Sequence, residues 1–79
     1  MSTKPLIQLY KELNAAHKKG SLRDLVANDR CIIVYCHLST PTPTVIKLYE
    51  YIKATYEPFM REHYMIGNHV IKIYLMDIS

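Results

Sequence analysis

The chain has 79 residues, of which 49% are hydrophobic and 22% charged, and its formal net charge is +3. This composition excludes intrinsic disorder, and the length predicts one domain over residues 1–79. No apolar run approaches the ~20 residues that span a bilayer, and the first residues lack the apolar segment of a secretory signal. We therefore expect a cytoplasmic protein without membrane contact.

The first predicted element is a helix that Thr3 caps and Gly20 ends. Its apolar side chains recur at ~100° per residue and form one stripe: Leu6, Leu9, Tyr10, Leu13 and Ala16. Lys4, Lys11 and Lys18 repeat every seven residues on the opposite side, where a solvated face belongs. A nucleic-acid contact along this basic side is the alternative.

A short second turn of helix and a strand are predicted next. Ser21 and Asp24 resemble a capping box, followed by Leu22, Leu25 and Val26. Residues 31–38 are β-branched and aromatic, which is typical of a buried strand. Cys31 and Cys36 are five positions apart on that strand, so their side chains point to opposite faces and stay reduced.

The second half of the chain predicts a long helix and two strands. After a loop at 39–44, the stripe of Val45, Leu48, Tyr49, Ile52 and Tyr56 indicates a helix, and Pro58 ends or kinks it near residue 57. Residues 63–66 and 69–78 alternate like strands around a turn at Gly67 and Asn68. We expect no internal repeat.

These elements give the order α-(α)-β-α-β-β and an α/β class, with α+β as the alternative. We predict a small mixed sheet of two or three strands with an N-terminal helix and one long crossover helix. One sheet face, with Ile32, Val34, Cys36, Leu38, Ile71, Ile73 and Leu75, packs under the long helix. The uncharged segment from residue 32 to residue 36 would be a liability as an edge unless another element covers it or pairs with it.

The order of elements over residues 22–77 resembles the front half of a thioredoxin-like fold. The shared pattern is a short helix, a hydrophobic strand, a loop, a long helix with a proline, and a strand. The resemblance implies a small α/β domain. The family's paired cysteines would fall in the loop at 39–44, which has no cysteine, so the redox activity is not carried over.

Cys36 is the candidate residue for an enzyme. The strand that ends at Cys36, followed by a loop and a helix, looks like the active-site strand of rhodanese and of cysteine phosphatases. Their loop needs glycines and an arginine six residues after the cysteine, where this chain has Thr42. A thioredoxin-like or phosphatase-like thiol protein that uses Cys36 is therefore kept only as an alternative function. The four histidines have no metal-site spacing, so we expect no metal and no cofactor.

The second sheet face is either covered by the first helix or completed by another chain, and in the second case it carries the predicted binding site. Strand alternation places five candidates there: Tyr35, His37, Lys72, Tyr74 and Met76. Tyrosines are common at interfaces because they bury area and keep a polar tip. We therefore expect a non-catalytic module that binds a protein as a regulator or inhibitor, with a homodimer as one form. Nucleic acid is a less favoured partner, and the small size is typical of viral or phage accessory proteins.

Overall fold

A computed structural model describes residues 4–28 and 30–76, with side chains from residue 7 onward. The elements in chain order are α1 (Lys4–Lys18), β1 (Leu22–Ala27), β2 (Cys31–Cys36), α2 (Thr42–Tyr56), β3 (Met60–Ile66) and β4 (Val70–Leu75). The strands form one antiparallel sheet in the order β1-β2-β4-β3. The fold is α+β, the second of the two predicted classes. Its sheet has four strands and is antiparallel rather than mixed.

The additional strand, β1, is the segment predicted as a second turn of helix. Leu22 and Leu25 have helical spacing, but a bulge between Leu22 and Asp24 adds one residue to this strand. Both leucines therefore face the same side, opposite Cys36 and Val34 respectively. The bulge makes a strand look helical in sequence. Pairing with β1 on one side and β4 on the other places β2 inside the sheet, so residues 32–36 are paired and form no edge.

Helix α1 ends where the sequence predicted. Gly20 has φ +86°, its N–H donates to the His17 carbonyl at 3.0 Å, and the Ser21 N–H donates to the Ala16 carbonyl at 2.9 Å. This paired pattern is a Schellman motif, which favours glycine because of the positive φ. The predicted cap Thr3 and the side chains of Lys4 and Leu6 lie outside the described residues.

Helix α2 begins earlier than the apolar stripe and ends as predicted. Its first turn contains Pro43. Proline is tolerated there because the N–H groups of the first turn have no partner within the helix, so the missing N–H of proline costs no hydrogen bond. The helix ends at Tyr56, and Pro58 lies in a 3-10 turn, Glu57–Phe59, that leads into β3. None of the described helices is long and apolar enough to cross a membrane.

Both helices pack on the same face of the sheet. The core there includes Leu9 and Leu13 from α1, Val45 and Ile52 from α2, and the inward residues of all four strands. The predicted pairing of Ile32, Val34 and Cys36 with Ile71, Ile73 and Leu75 under a helix is confirmed. Leu38 does not join them, because it lies in a turn after β2 and is 83% exposed.

The fold consists of two similar halves, α1-β1-β2 and α2-β3-β4. In the order β1-β2-β4-β3 with an antiparallel central pair, a half-turn about an axis normal to the sheet exchanges the halves. The axis passes between Ile33 and Lys72. It relates the hydrogen bond from Cys36 N–H to His69 O, 2.7 Å, to the bond from Leu75 N–H to Arg30 O, 2.8 Å.

The sequence of the two halves matches at the positions that this half-turn relates. Both outer strands have a bulge at the same place, Leu-Arg-Asp at 22–24 and Met-Arg-Glu at 60–62. Both inner strands carry isoleucine and tyrosine three positions apart, at 32 and 35 and at 71 and 74. In the helices, Leu-Ile-Gln-Leu-Tyr at 6–10 aligns with Val-Ile-Lys-Leu-Tyr at 45–49. The prediction of no internal repeat is wrong.

Replacement of Ile52 by Ala tests the core. Ile52 is 1% exposed in the middle of α2, so we expect the free energy of unfolding to fall by about 2–5 kcal/mol. Urea unfolding measures the loss, and Ile46→Ala on the same helix is the control because Ile46 is 40% exposed. Equal losses in the two variants would contradict the assigned inner face of α2.

Candidate functional site

The face of the sheet opposite the helices, here called the open face, is not covered by any described residue. Six half-buried side chains from the two central strands form its middle: Cys31, Ile33, Tyr35, Val70, Lys72 and Tyr74. The outer strands add Val26, Tyr64 and Ile66, which are exposed. The face is thus mainly aliphatic and aromatic, with charges at defined places.

Two arginines stack on two tyrosines of this face. The Arg23 guanidinium carbon lies 5.0 Å from the centre of the Tyr35 ring, and that of Arg61 lies 5.6 Å from the centre of the Tyr74 ring. The half-turn of the fold relates these two pairs. Each arginine is the extra residue in the bulge of its strand. The bulge turns the arginine side chain over the neighbouring strand, where it contacts the tyrosine ring.

The stacked guanidiniums keep their hydrogen-bonding edges available. Stacking uses the flat face of the group, whereas the N–H donors point outward in its plane. Within residues 7–28 and 30–76, neither Arg23 nor Arg61 forms an ion pair. An acidic residue follows each arginine, Asp24 and Glu62, so each end of the open face presents both signs of charge.

A third cation breaks the symmetry near the centre of the face. The Lys72 ammonium lies 5.2 Å from the centre of the Tyr74 ring, and the rings of Tyr64 and Tyr74 are 6.3 Å apart. The hydrogen bond between Lys72 and Tyr74 lowers the pKa of Tyr74 and raises the pKa of Lys72. The hydrogen bond between Tyr64 and Tyr74 raises the pKa of Tyr64. The position related to Lys72 by the half-turn is Ile33.

Three of the five predicted site residues come together on the open face: Tyr35, Lys72 and Tyr74. His37 and Met76 lie just beyond the ends of β2 and β4. The His37 Nε2–H donates to the Gly20 carbonyl at 2.9 Å, which ties the end of β2 to the end of α1. The Met76 N–H donates to the Phe59 carbonyl at 3.0 Å.

Sequence reasoning missed Arg23, Arg61 and Tyr64. Arg23 falls in the segment predicted as a turn of helix, and Arg61 falls between the predicted end of the long helix near residue 57 and the strand predicted from residue 63. The similar segments Leu-Arg-Asp and Met-Arg-Glu, which precede Tyr35 by 12 residues and Tyr74 by 13 residues respectively when counted from the arginine, are the signal that could have found the arginines. Tyr64 is related to Val26 by the half-turn, so that repeat does not point to it.

The candidate thiol Cys36 lies on the helix-facing side of the sheet and is 3% exposed. Burial raises the pKa of this thiol, which reduces the fraction of the reactive thiolate. Helix α2 begins only at Thr42, six residues later, so its N-terminus is not adjacent in sequence. Cys31 lies on the opposite face, and both cysteines are free, as predicted.

A second polar group links α2 to β3. The Tyr49 hydroxyl donates to His63 Nδ1 at 2.8 Å, and His63 Nε2–H donates to the Glu57 carboxylate at 3.0 Å. The order resembles a nucleophile, a base and an orienting carboxylate. Burial and the nearby Glu57 charge raise the pKa of Tyr49, however, which is opposite to what a nucleophilic phenol needs. The group serves to hold α2 against β3.

A third polar group joins the two helices. The Glu12 carboxylate accepts hydrogen bonds from Tyr51 at 2.6 Å, Tyr56 at 3.0 Å and Gln8 at 3.2 Å. The bond from Tyr51 contributes most to lowering the pKa of Glu12. Burial, together with the bond to Glu12, raises the pKa of Tyr56 to about 12. These bonds satisfy the hydroxyl of the buried Tyr56 and align α1 with α2.

The described residues contain no group of three or more His, Cys, Asp or Glu side chains that could hold a metal ion. Comparison with protein-family models, with curated proteins and with solved structures found no match to this chain. The thioredoxin-like resemblance stays a prediction, and the structure has a strand where that resemblance expected a short helix. The open face is the feature with the strongest case for a function.

Replacement of Glu12 by Gln tests the helix contact and its pH dependence. At pH 7 we expect a loss of about 1 kcal/mol, because the carboxylate is partly exposed. The folded-state pKa is below the ordinary value of 4.5, so the stabilisation is complete above that value and disappears as pH falls through the folded-state pKa. Urea unfolding from pH 7 to about pH 3 measures it. A difference from wild type that stays constant with pH would contradict the assignment, and Glu50→Gln, on the exposed side of α2, is the control.

Alkylation by iodoacetamide near neutral pH tests the two thiols. In single-cysteine variants, Cys31→Ser and Cys36→Ser, we expect Cys36 to react at least about tenfold more slowly than Cys31, since Cys36 is buried with a raised pKa. Both should react at similar rates in urea. Rapid modification of Cys36 in the folded protein would instead favour the thiol enzyme.

Proposed function

We propose that this protein is a small protein-binding module and that the open face is its contact surface. The observation that carries the proposal is the stacking of Arg23 on Tyr35 and of Arg61 on Tyr74 on a sheet face that no described residue covers. Tyrosine and arginine are the side chains enriched at the centres of protein interfaces. Stacking also holds both groups in place before a partner arrives, which lowers the entropy cost of binding.

The surroundings of these pairs favour a protein over a nucleic acid. A base would have to displace a guanidinium to stack on the same side of Tyr35 or Tyr74. Ile33 lies between the tyrosines and Val70 lies beside Tyr35, and both offer aliphatic surface, which bases and phosphates do not need. The carboxylates of Asp24 and Glu62 lie at the ends of the face, where they would repel a phosphate backbone.

The two alternative functions have weaker support. Lys11 and Lys18 are exposed on α1, but among the described residues neither ammonium lies over an aromatic ring. The Cys36 thiol is buried with a raised pKa. A module that binds through a flat sheet face acts by covering a surface of its partner, so we propose the role of a regulator or inhibitor in the cytoplasm. A viral or phage origin stays a prediction from size and composition.

The double replacement Tyr35→Ser with Tyr74→Ser tests this function. Neither tyrosine belongs to the core, so we expect the variant to keep its circular dichroism spectrum. Each tyrosine contributes more than about 1 kcal/mol to binding as an anchor, so capture of partner proteins from a lysate of the source organism should fall at least about tenfold.

The matched control replaces two exposed apolar residues on the helices, Ile7→Ser with Ile46→Ser. These positions are also related by the repeat, and they lie on the other side of the molecule. We expect this control to capture the same proteins as wild type. If the control loses them and the tyrosine variant keeps them, the contact surface is on the helices and the proposal is wrong.

A further inference from the structure

We propose that the occupant of the open face is a second copy of this chain, docked face to face about a two-fold axis. This inference rests on the proposed function and names its partner. It starts from the two halves of the fold, each of which places an arginine, an acidic residue and a tyrosine in the same arrangement on this face: Arg23, Asp24 and Tyr35, and Arg61, Glu62 and Tyr74.

The charges of the face are complementary to themselves. In a dimer with two-fold symmetry, when residue i of one copy contacts residue j of the other, j also contacts i. An axis that lies in the interface and passes over both ends brings Arg23 of one copy to Asp24 of the other, and the reverse. At the opposite end, the same axis brings Arg61 to Glu62. The repeat therefore supplies two sets of reciprocal ion pairs with one axis.

The dimensions of the face are sufficient for a weak dimer. Six-residue strands extend about 20 Å, and four strands cover about 19 Å across, so two copies bury on the order of 1,000 Å² in total. The tyrosines Tyr35 and Tyr74 are on neighbouring strands, four residues out of register, which places them about 14 Å apart on the two sides of the centre. An interface of this size is at the lower end of specific protein interfaces, so we expect a weak dimer.

Lys72 gives this dimer a distinctive signature. Ile33 and Lys72 occupy the centre of the face. The proposed axis passes over both ends of the face and therefore also over this centre, so the centre of one copy lies over the centre of the other. The two Lys72 ammoniums then lie near each other and repel. An anionic partner, whether an acidic protein or a nucleic acid, would be attracted by the same residue. Removal of the Lys72 charge should therefore tighten the dimer but weaken the binding of an anionic partner.

Sedimentation equilibrium of the purified chain from about 1 µM to about 1 mM tests the proposal. We expect a monomer–dimer equilibrium for wild type. The variants Arg23→Glu with Arg61→Glu and Asp24→Arg with Glu62→Arg should each be monomeric alone, because like charges then face each other. Mixed in equal amounts, they should form a heterodimer at least as tight as the wild-type dimer. That recovery also shows that both variants are folded.

Two further variants complete the experiment. Lys72→Met should tighten the dimer several-fold, and Lys11→Glu with Lys47→Glu, on exposed helix positions, should leave it unchanged. A wild-type chain that stays monomeric throughout overturns the second copy as partner. The loss of captured proteins in the tyrosine variant then tests the broader function independently. A dimer that persists in the charge-reversal variants also overturns the proposal. So does a single-stranded oligonucleotide probe that wild type binds and the Lys72→Met variant does not.

Discussion

The central pairing of β2 with β4 is the contact on which the rest of this structure depends. Ile32, Val34, Ile71 and Ile73 come from these two strands, and all four are fully buried. The pairing joins residues that are far apart in sequence, and among the described residues it is the only sheet contact between the two halves. It places one helix of each half on the inner face and aligns the outer side chains of both strands on the other face.

The same register determines the composition of the open face. Because side chains alternate along a strand, burying positions 32, 34, 71 and 73 commits Tyr35 and Tyr74 to the opposite side. The bulges in β1 and β3 then bring Arg23 and Arg61 over these rings. A register slip of one residue would place the tyrosines among the helices and the isoleucines on the outside. The stability of the core and the presence of the candidate interface therefore have one cause.

Periodicity in the sequence predicts the parts of this fold that follow a regular spacing. The stripes of α1 and α2, the inner residues of β2 and β4, the end of α1 at Gly20 and the end of α2 before Pro58 all follow from it. Strand β1 was missed because its bulge gives Leu22 and Leu25 the spacing of a helix. The arginines of the open face were missed for the same reason, since a bulge changes the direction of a side chain without changing its residue type.

The two halves share the stacked arginine and tyrosine on the open face, whereas their polar contacts on the helix side differ. On the helix side, α1 contributes Glu12 to bonds with Tyr51 and Tyr56, whereas α2 contributes Tyr49 to a bond with His63. The half-turn does not relate these contacts, because a core needs only to be filled and its polar groups satisfied, which different residues can do. Packing makes no such demand for an arginine over a tyrosine on an uncovered face. The occurrence of that pair in both halves is better explained by a contact that both halves make, and this is why the open face, rather than a polar group of the helix side, is assigned the function.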